Sequence, residues 1–214
     1  PYQTVVYFPG SSAINRRSSD KNEVLGIGNF DFIMKSGRAL LFPIYKSTYE
    51  RGDGLVDSVP NETNTYRDHV IQWAQDLSRS LDYLESRDDI DSDNLAYYGF
   101  SWGGRLGGIM IAVGGRFKTA ILYVAGFRFQ KQKPEVDPFH FVSRVRIPVL
   151  MLNGRYDSFF PYQAAQLPMF KLLGTPEEHK CQFLYDTGHN IPRNQLIKES
   201  LEWLDKCLGP VMRD

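Results

Sequence analysis

The chain has 214 residues, 42% hydrophobic and 23% charged, with 25 Lys plus Arg balanced by 25 Asp plus Glu. This is ordinary globular usage, which excludes a disordered, fibrous or long multidomain chain and favours one large domain. Zero net charge excludes a global field that would draw the chain to nucleic acid or an anionic membrane, so any partner must be recognised locally.

Apolar runs such as 120–124 and 148–152 are far shorter than the ~18 residues that span a bilayer, so no membrane association is expected. No signal-peptide pattern opens the chain, and Pro1 in place of an initiator Met points to tethering to upstream sequence. Cys181 and Cys207 read as two buried thiols, not as a disulfide framework or metal site, which favours a cytoplasmic location.

In chain order, 4–8 (TVVYF) is a β-branched and aromatic strand stopped by Pro9-Gly10, and a polar stretch runs from 11 to 22. Residues 30–35 predict a short helix ended near Gly37. Residues 39–45 (ALLFPIY) predict a second strand with Pro43 at its end, because proline cannot donate to a ladder. The aperiodic segment 46–60 reads as a surface loop. Thr65-x-x-Asp68 resembles a capping box, and Tyr66, Val70, Trp73, Leu77, Leu81 and Leu84 recur at helical spacing along one face of a long helix.

Residues 94–100 predict a third strand leading into the Gly-rich 101–116, and 119–125 and 147–153 predict the fourth and fifth. Segment 162–173 reads as a helix ended by Gly174, and 181–185 as the sixth strand. The last helix carries Ile197, Leu201, Leu204 and Leu208 between Pro192 and Gly209-Pro210. Strands alternating with helices imply an α/β fold, a three-layer α/β/α sandwich with a mostly parallel sheet of about six strands. Right-handed crossovers place the strand carboxyl ends on one edge, where ligands bind. The stretch 127–146 is an insertion too short to be a lid domain.

After the third strand, Gly99-Phe100-Ser101-Trp102-Gly103 matches G-x-S-x-G where a strand ends and a helix opens, the context of a nucleophile elbow. A serine hydroxyl needs a base within hydrogen-bond reach and a carboxylate to fix that base's tautomer. His69 sits in the long helix, His140 in the insertion and His179 in a polar run, so packing or solvated roles are expected for them. His189 follows the sixth strand, on the ligand-binding edge, and is the predicted base. Asp157 follows the fifth strand and is the predicted acid; Asp186 is too close in the chain to His189, and Asp137 lies in the insertion. The order Ser101, Asp157, His189 differs from the trypsin and subtilisin orders. The N–H of Trp102 and that of Ser11, with Ser12 next in line, are the predicted oxyanion donors, since Pro9 has no N–H. Aromatic segments 127–129 and 159–161, with Phe127 and Phe159, together with Tyr45 after the second strand, are candidate pocket residues.

Elbow, acid and histidine in this order resemble the α/β-hydrolase superfamily over nearly the whole chain, 4–208. PVLMLNGRYDSFFP, DTGHNIPR and the lack of a lid resemble its compact branch, which includes dienelactone-hydrolase-like esterases and prolyl-oligopeptidase-type catalytic domains. The resemblance implies acyl transfer to water through an acyl-enzyme without a cofactor. The family's first two strands have no counterpart before Thr4, so either they belong to an upstream segment or the sheet is trimmed to about six strands. Pro9-Gly10 stands where the family's oxyanion loop carries His-Gly. The expected function is a serine carboxylesterase for small esters; a peptidase of the prolyl-oligopeptidase type and a non-catalytic binding module on the same fold are the alternatives.

Overall fold

The computed structural model describes residues 1–20 and 30–211. Six strands, β1 (Tyr2–Phe8), β2 (Ala39–Leu41), β3 (Ile90–Phe100), β4 (Thr119–Tyr123), β5 (Val149–Gly154) and β6 (Lys180–Tyr185), form one sheet in the order β2-β1-β3-β4-β5-β6. Every neighbouring pair is parallel. The α-helices are α1 (Asp31–Lys35), α2 (Asn64–Glu85), α3 (Trp102–Gly114), α4 (Leu167–Leu172) and α5 (Arg193–Leu208). This is the expected three-layer α/β/α architecture.

The central strands are apolar at consecutive positions because both of their faces are covered. Val6, Phe8, Leu95, Tyr97, Ala120, Leu122, Val149 and Met151 point to one core with the buried face of α2 and with Leu106 and Met110 of α3. The intervening Val5, Tyr7, Ala96, Tyr98, Ile121, Tyr123, Leu150 and Leu152 point to a second core closed by α1 and α5. The period-2 alternation of side chains thus divides one hydrophobic run between two layers. The buried face of α2 is Tyr66, Val70, Trp73, Leu77, Leu81 and Leu84, the set that its spacing predicts.

Several local details differ from the sequence expectations. Thr63, not Thr65, caps α2: its backbone is extended and its hydroxyl accepts the Tyr66 N–H at 3.1 Å. β2 stops at Leu41, two residues before Pro43, so the chain leaves the sheet before the missing N–H would interrupt a ladder. The segment expected as one helix from 162 is a π-type turn, Tyr162–Gln166, followed by α4, with Pro168 in the first turn of α4 where its missing N–H costs nothing. On α5 the buried residues are Leu196, Glu199, Ser200, Trp203, Leu204 and Leu208, with Ile197 and Leu201 only half-buried. The shift is set by Trp203, whose indole N–H bonds the Thr119 hydroxyl at 2.8 Å under β4.

The 127–146 stretch carries three short 3-10 turns, Pro134–Val136, Pro138–His140 and Val142–Arg144. Val136, Val142 and Val145 from it join the first core, and Pro138 and Val142 pack over Gly108 of α3. Cys181 and Cys207 are free and half-buried, and burial raises both thiols above their ordinary pKa. Among the described residues no helix is long and apolar enough to cross a membrane.

Candidate active site

The turn from β3 to α3 is sterically specified. Ser101 has φ +52° and ψ −100°, a conformation that L side chains rarely adopt. A Cβ on Gly103 would collide with the Phe8 carbonyl of β1, and one on Gly99 with the Gly103 carbonyl, so both glycines of the motif are required by close approach. The turn is fastened by the Gly103 N–H on the Pro9 carbonyl at 3.0 Å and the Tyr97 hydroxyl on the Gly103 carbonyl at 2.7 Å.

Asp157 leaves β5 in a loop that buries its side chain completely. Its Oδ1 accepts the Phe159 and Phe160 amides at 2.8 and 3.1 Å, leaving Oδ2 for the His189 Nδ1–H at 2.8 Å. His189 leaves β6, and its Nε2 lies 2.8 Å from the Ser101 hydroxyl. A carboxylate only accepts, so Nδ1 carries the proton and Nε2 is free to accept from serine. The Phe159 and Phe160 rings stand 4.7 and 5.9 Å from the imidazole. The acid and histidine loops are lashed together by the Arg155 N–H on the Tyr185 carbonyl and the Tyr156 N–H on the Thr187 carbonyl. Gly154 packs so tightly on the Gly188 carbonyl that no side chain fits there.

The other histidines and acids lie elsewhere. His69 bonds the Thr65 carbonyl and Asp53, while His140 and His179 are exposed. Asp186 turns outward to pair with Arg155 at 2.7 Å, and Asp137 accepts the amide of Phe139. Trp102 is the first residue of α3, so its N–H has no acceptor within the helix. Ser11 opens the 3-10 turn Ser11–Asn15, in which the Gly10 carbonyl takes the Ala13 N–H, so the Ser11 and Ser12 amides are not used by the turn.

A cleft of about 310 Å³ opens over Ser101 and His189, bordered by Ser11, Ser12, Trp102, Arg105, Arg128 and Phe159 among others. Two of the expected pocket residues are not part of it. Tyr45 is fully buried, stacked on Phe8 at 4.1 Å with its hydroxyl on the Tyr7 carbonyl, because the chain turns inward once β2 has ended. Phe127 packs against the first core and the Phe139 ring at 5.7 Å. Among the described residues no cluster of His, Cys, Asp or Glu forms a metal site.

Residues 49–193, which contain Ser101, Asp157 and His189, match the dienelactone hydrolase family. The chain belongs to that family. Among curated proteins none matches the sequence. Among solved structures, TT1662 from Thermus thermophilus superposes with a TM-score of 0.74 at 18% identity, covering 97% of this chain and 90% of that one. An acetyl xylan esterase from Paenibacillus sp. R4 gives 0.68 at 20% identity, covering 97% and 75%. Dipeptidyl peptidase 4 of Porphyromonas gingivalis gives 0.71 at 15% identity, covering 96% of this chain but 31% of that one. Over the described residues this member of the dienelactone hydrolase family therefore has the α/β-hydrolase fold.

Three features of this dienelactone hydrolase family member escape sequence reading. Gln166, fully buried, donates its amide to the Gly154 and Phe160 carbonyls at 2.8 and 2.7 Å and so braces the acid loop from behind. Arg105 and Arg128 border the cleft from two different elements. Only Arg105 carried a signal, as the one charge in the otherwise small and apolar WGGRLGGIMIAVGG.

Proposed function

We propose that this protein is a serine carboxylesterase that hydrolyses small esters through an acyl-enzyme on Ser101. The observation that carries the reading is the unbroken hydrogen-bond chain from the Ser101 hydroxyl through His189 to buried Asp157, mounted on a strained turn at the mouth of a cleft. As Ser101 Oγ bonds to the acyl carbon, His189 Nε2 takes its proton and the imidazolium is stabilised by Asp157. The oxyanion is received by the Trp102 N–H and by Ser11 or Ser12 across the cleft. Proton return from His189 to the ester oxygen releases the alcohol. Water then attacks the acyl-enzyme, giving its proton to His189, and the proton returns to Ser101 as the acid departs.

The cleft chemistry favours this over an aminopeptidase reading. Holding a substrate ammonium calls for carboxylates, whereas two guanidiniums, Arg105 and Arg128, border the cleft against the single uncommitted carboxylate of Asp57, and Asp157 is committed to His189. Family membership and an intact hydrogen-bond chain likewise disfavour a non-catalytic binding module.

Ser101→Ala is expected to abolish hydrolysis of p-nitrophenyl acetate and labelling by a fluorophosphonate probe, with the thermal midpoint nearly unchanged. Retained activity in the variant would overturn the assignment, and aminoacyl-nitroanilide turnover rivalling that of esters would reverse the ranking of esterase over peptidase.

A further inference from the structure

The two sides of the cleft differ in chemistry. The turn after β1 and the 46–60 loop contribute the polar Ser11, Ser12, Asn15 and Ser58. Around His189 the border is aromatic: the rings of Phe100, Phe159 and Phe160 stand 6.2, 4.7 and 5.9 Å from the imidazole.

Two of these rings are engaged by the protein itself. Phe160 is buried with the Arg128 guanidinium 6.0 Å from its ring centre, and half-buried Phe100 stacks on Tyr123 at 5.1 Å. Phe159 is 56% exposed although its ring is the nearest of the three to His189. Its backbone is nevertheless fixed, the N–H donating to Asp157 Oδ1 at 2.8 Å and the carbonyl accepting from Arg128 Nη1 at 3.5 Å. A phenylalanine has only two side-chain torsions, so a ring on a fixed backbone offers a stacking face at low entropic cost. An isolated exposed ring elsewhere on the surface would call for no explanation, but this one borders the cleft beside the base.

The proton path decides which part of a substrate meets this ring. His189 Nε2 gives its proton to the ester oxygen, so that oxygen and the group it carries lie against the imidazole, while the carbonyl oxygen is turned to the Trp102, Ser11 and Ser12 amides. We propose that Phe159 selects esters of aromatic alcohols by stacking the aryl group of the leaving alcohol beside His189. The choice of the alcohol side rests on the Ser101 reading. Phe159 presents a flat apolar face with no hydrogen-bonding atom, so it distinguishes a flat aromatic ring from a puckered aliphatic one of similar size.

The test uses kcat/KM, which covers the acylation step in which the alcohol departs. Two matched pairs are compared: benzyl acetate against cyclohexylmethyl acetate, with the ring on the alcohol, and methyl phenylacetate against methyl cyclohexylacetate, with the ring on the acyl group. Each ratio is divided by that of the same pair in alkaline hydrolysis, which removes intrinsic reactivity. The alcohol-side ratio is expected to reach about threefold to tenfold, the span of a ring-on-ring contact, with the acyl-side ratio near one. Phe159→Leu, which keeps apolar bulk without an aromatic face, is expected to bring the alcohol-side ratio towards one, and Phe159→Tyr to restore it. A merely structural loss would slow all four esters together and leave the ratio alone.

An alcohol-side ratio near one in the wild type, a ratio that survives Phe159→Leu, or a preference that appears on the acyl side instead would overturn the proposal. The serine mechanism is judged separately: hydrolysis that persists in Ser101→Ala sinks it whatever the ratios. If none of the four esters is turned over, the affinities of the two acetates, followed by NMR titration, decide. Equal affinities overturn the stacking role of Phe159, and tighter binding of benzyl acetate that Phe159→Leu removes upholds it.

Discussion

Ser101 is placed by strain, and strain has a measurable consequence. Its φ of +52° with ψ −100° is accessible to glycine but costs other residues about 1–3 kcal/mol. The conformation persists because both sides of the turn are fixed, by the Ser101 N–H on the Tyr123 carbonyl at 2.9 Å and the Gly103 N–H on the Pro9 carbonyl. Val124, fully buried at φ +45°, stores similar strain next to that Tyr123 carbonyl. Replacing Ser101 by Ala keeps a Cβ in the strained position, whereas Ser101→Gly releases it. Glycine also gives the unfolded chain about 0.4–1 kcal/mol of extra entropy, which opposes the gain. The net expectation is that Ser101→Gly is more stable than Ser101→Ala by about 1 kcal/mol, a rise of about 2–4 °C in Tm at this chain length. Thermal unfolding of the two inactive variants side by side checks this, and a Gly variant melting below the Ala variant would mean that the turn is relaxed.

At the scale of elements, the 46–60 loop is fastened to α2 by carboxylates from both sides: Asp76 of α2 takes the Lys46 N–H at 2.7 Å and pairs with Arg51 at 2.9 Å, and Asp53 of the loop reaches back to the helix. Asp53 Oδ2 meets the His69 Nε2 at 3.0 Å and the Lys46 Nζ at 3.1 Å, and Oδ1 accepts the Leu55 amide at 3.3 Å. Burial raises its pKa, but the hydrogen bonds from His69, Ser47, Lys46 and the Leu55 amide outweigh burial and hold the carboxyl well below its ordinary 3.8. A folded-state value below the unfolded one means that this stabilisation is fully present above 3.8 and is lost as pH falls through the depressed value. Denaturant unfolding should therefore show wild type more stable than Asp53→Asn at pH 5, with the gap closing as pH drops below 3.8; a gap that stays constant down to pH 2 would contradict it. The same loop carries the Ser58 carbonyl that seats Arg105, so loosening it reaches the cleft. Elements were legible where burial imposes a period. The six apolar positions of α2 and the doubly buried β1, β4 and β5 announce themselves because every core-facing residue must be apolar. The start of β3 at Ile90 was not legible, since Asp91 and Asp93 lie on its exposed half, where backbone pairing places no demand on side chains. Tyr45 misled for a related reason: an aromatic residue after a strand reads alike whether it lines a cleft or, as here, plugs the core.

At the scale of the whole molecule, the cleft exists because loops after β3, β5 and β6 open on the carboxyl edge of a parallel sheet whose order sets β3, β4, β5 and β6 side by side. That convergence was readable from sequence because each chemistry-bearing residue directly follows an apolar strand, and the topology of a parallel sheet then brings the strand ends together. The position of the arginines was not readable: Arg105 stands out as a lone charge in its apolar helix, but its placement depends on Tyr66 and Ser58, 39 and 47 residues away in the chain, contacts that no local pattern encodes. The walls are equally long-range. The 127–146 segment is packed down over α3, and among the described residues nothing encloses the space over Ser101 beyond the cleft of about 310 Å³. That volume lies at the lower end of the roughly 300–1,000 Å³ of small-molecule sites. An acyl chain that outgrows it gains no further burial, and each methylene left in water forgoes about 0.8 kcal/mol that an enclosed tunnel would supply. Across p-nitrophenyl esters from acetate to dodecanoate, kcat/KM is therefore expected to peak at the short-chain end and to fall steadily thereafter. A maximum at octanoate or longer would require an acyl tunnel that the described residues do not form.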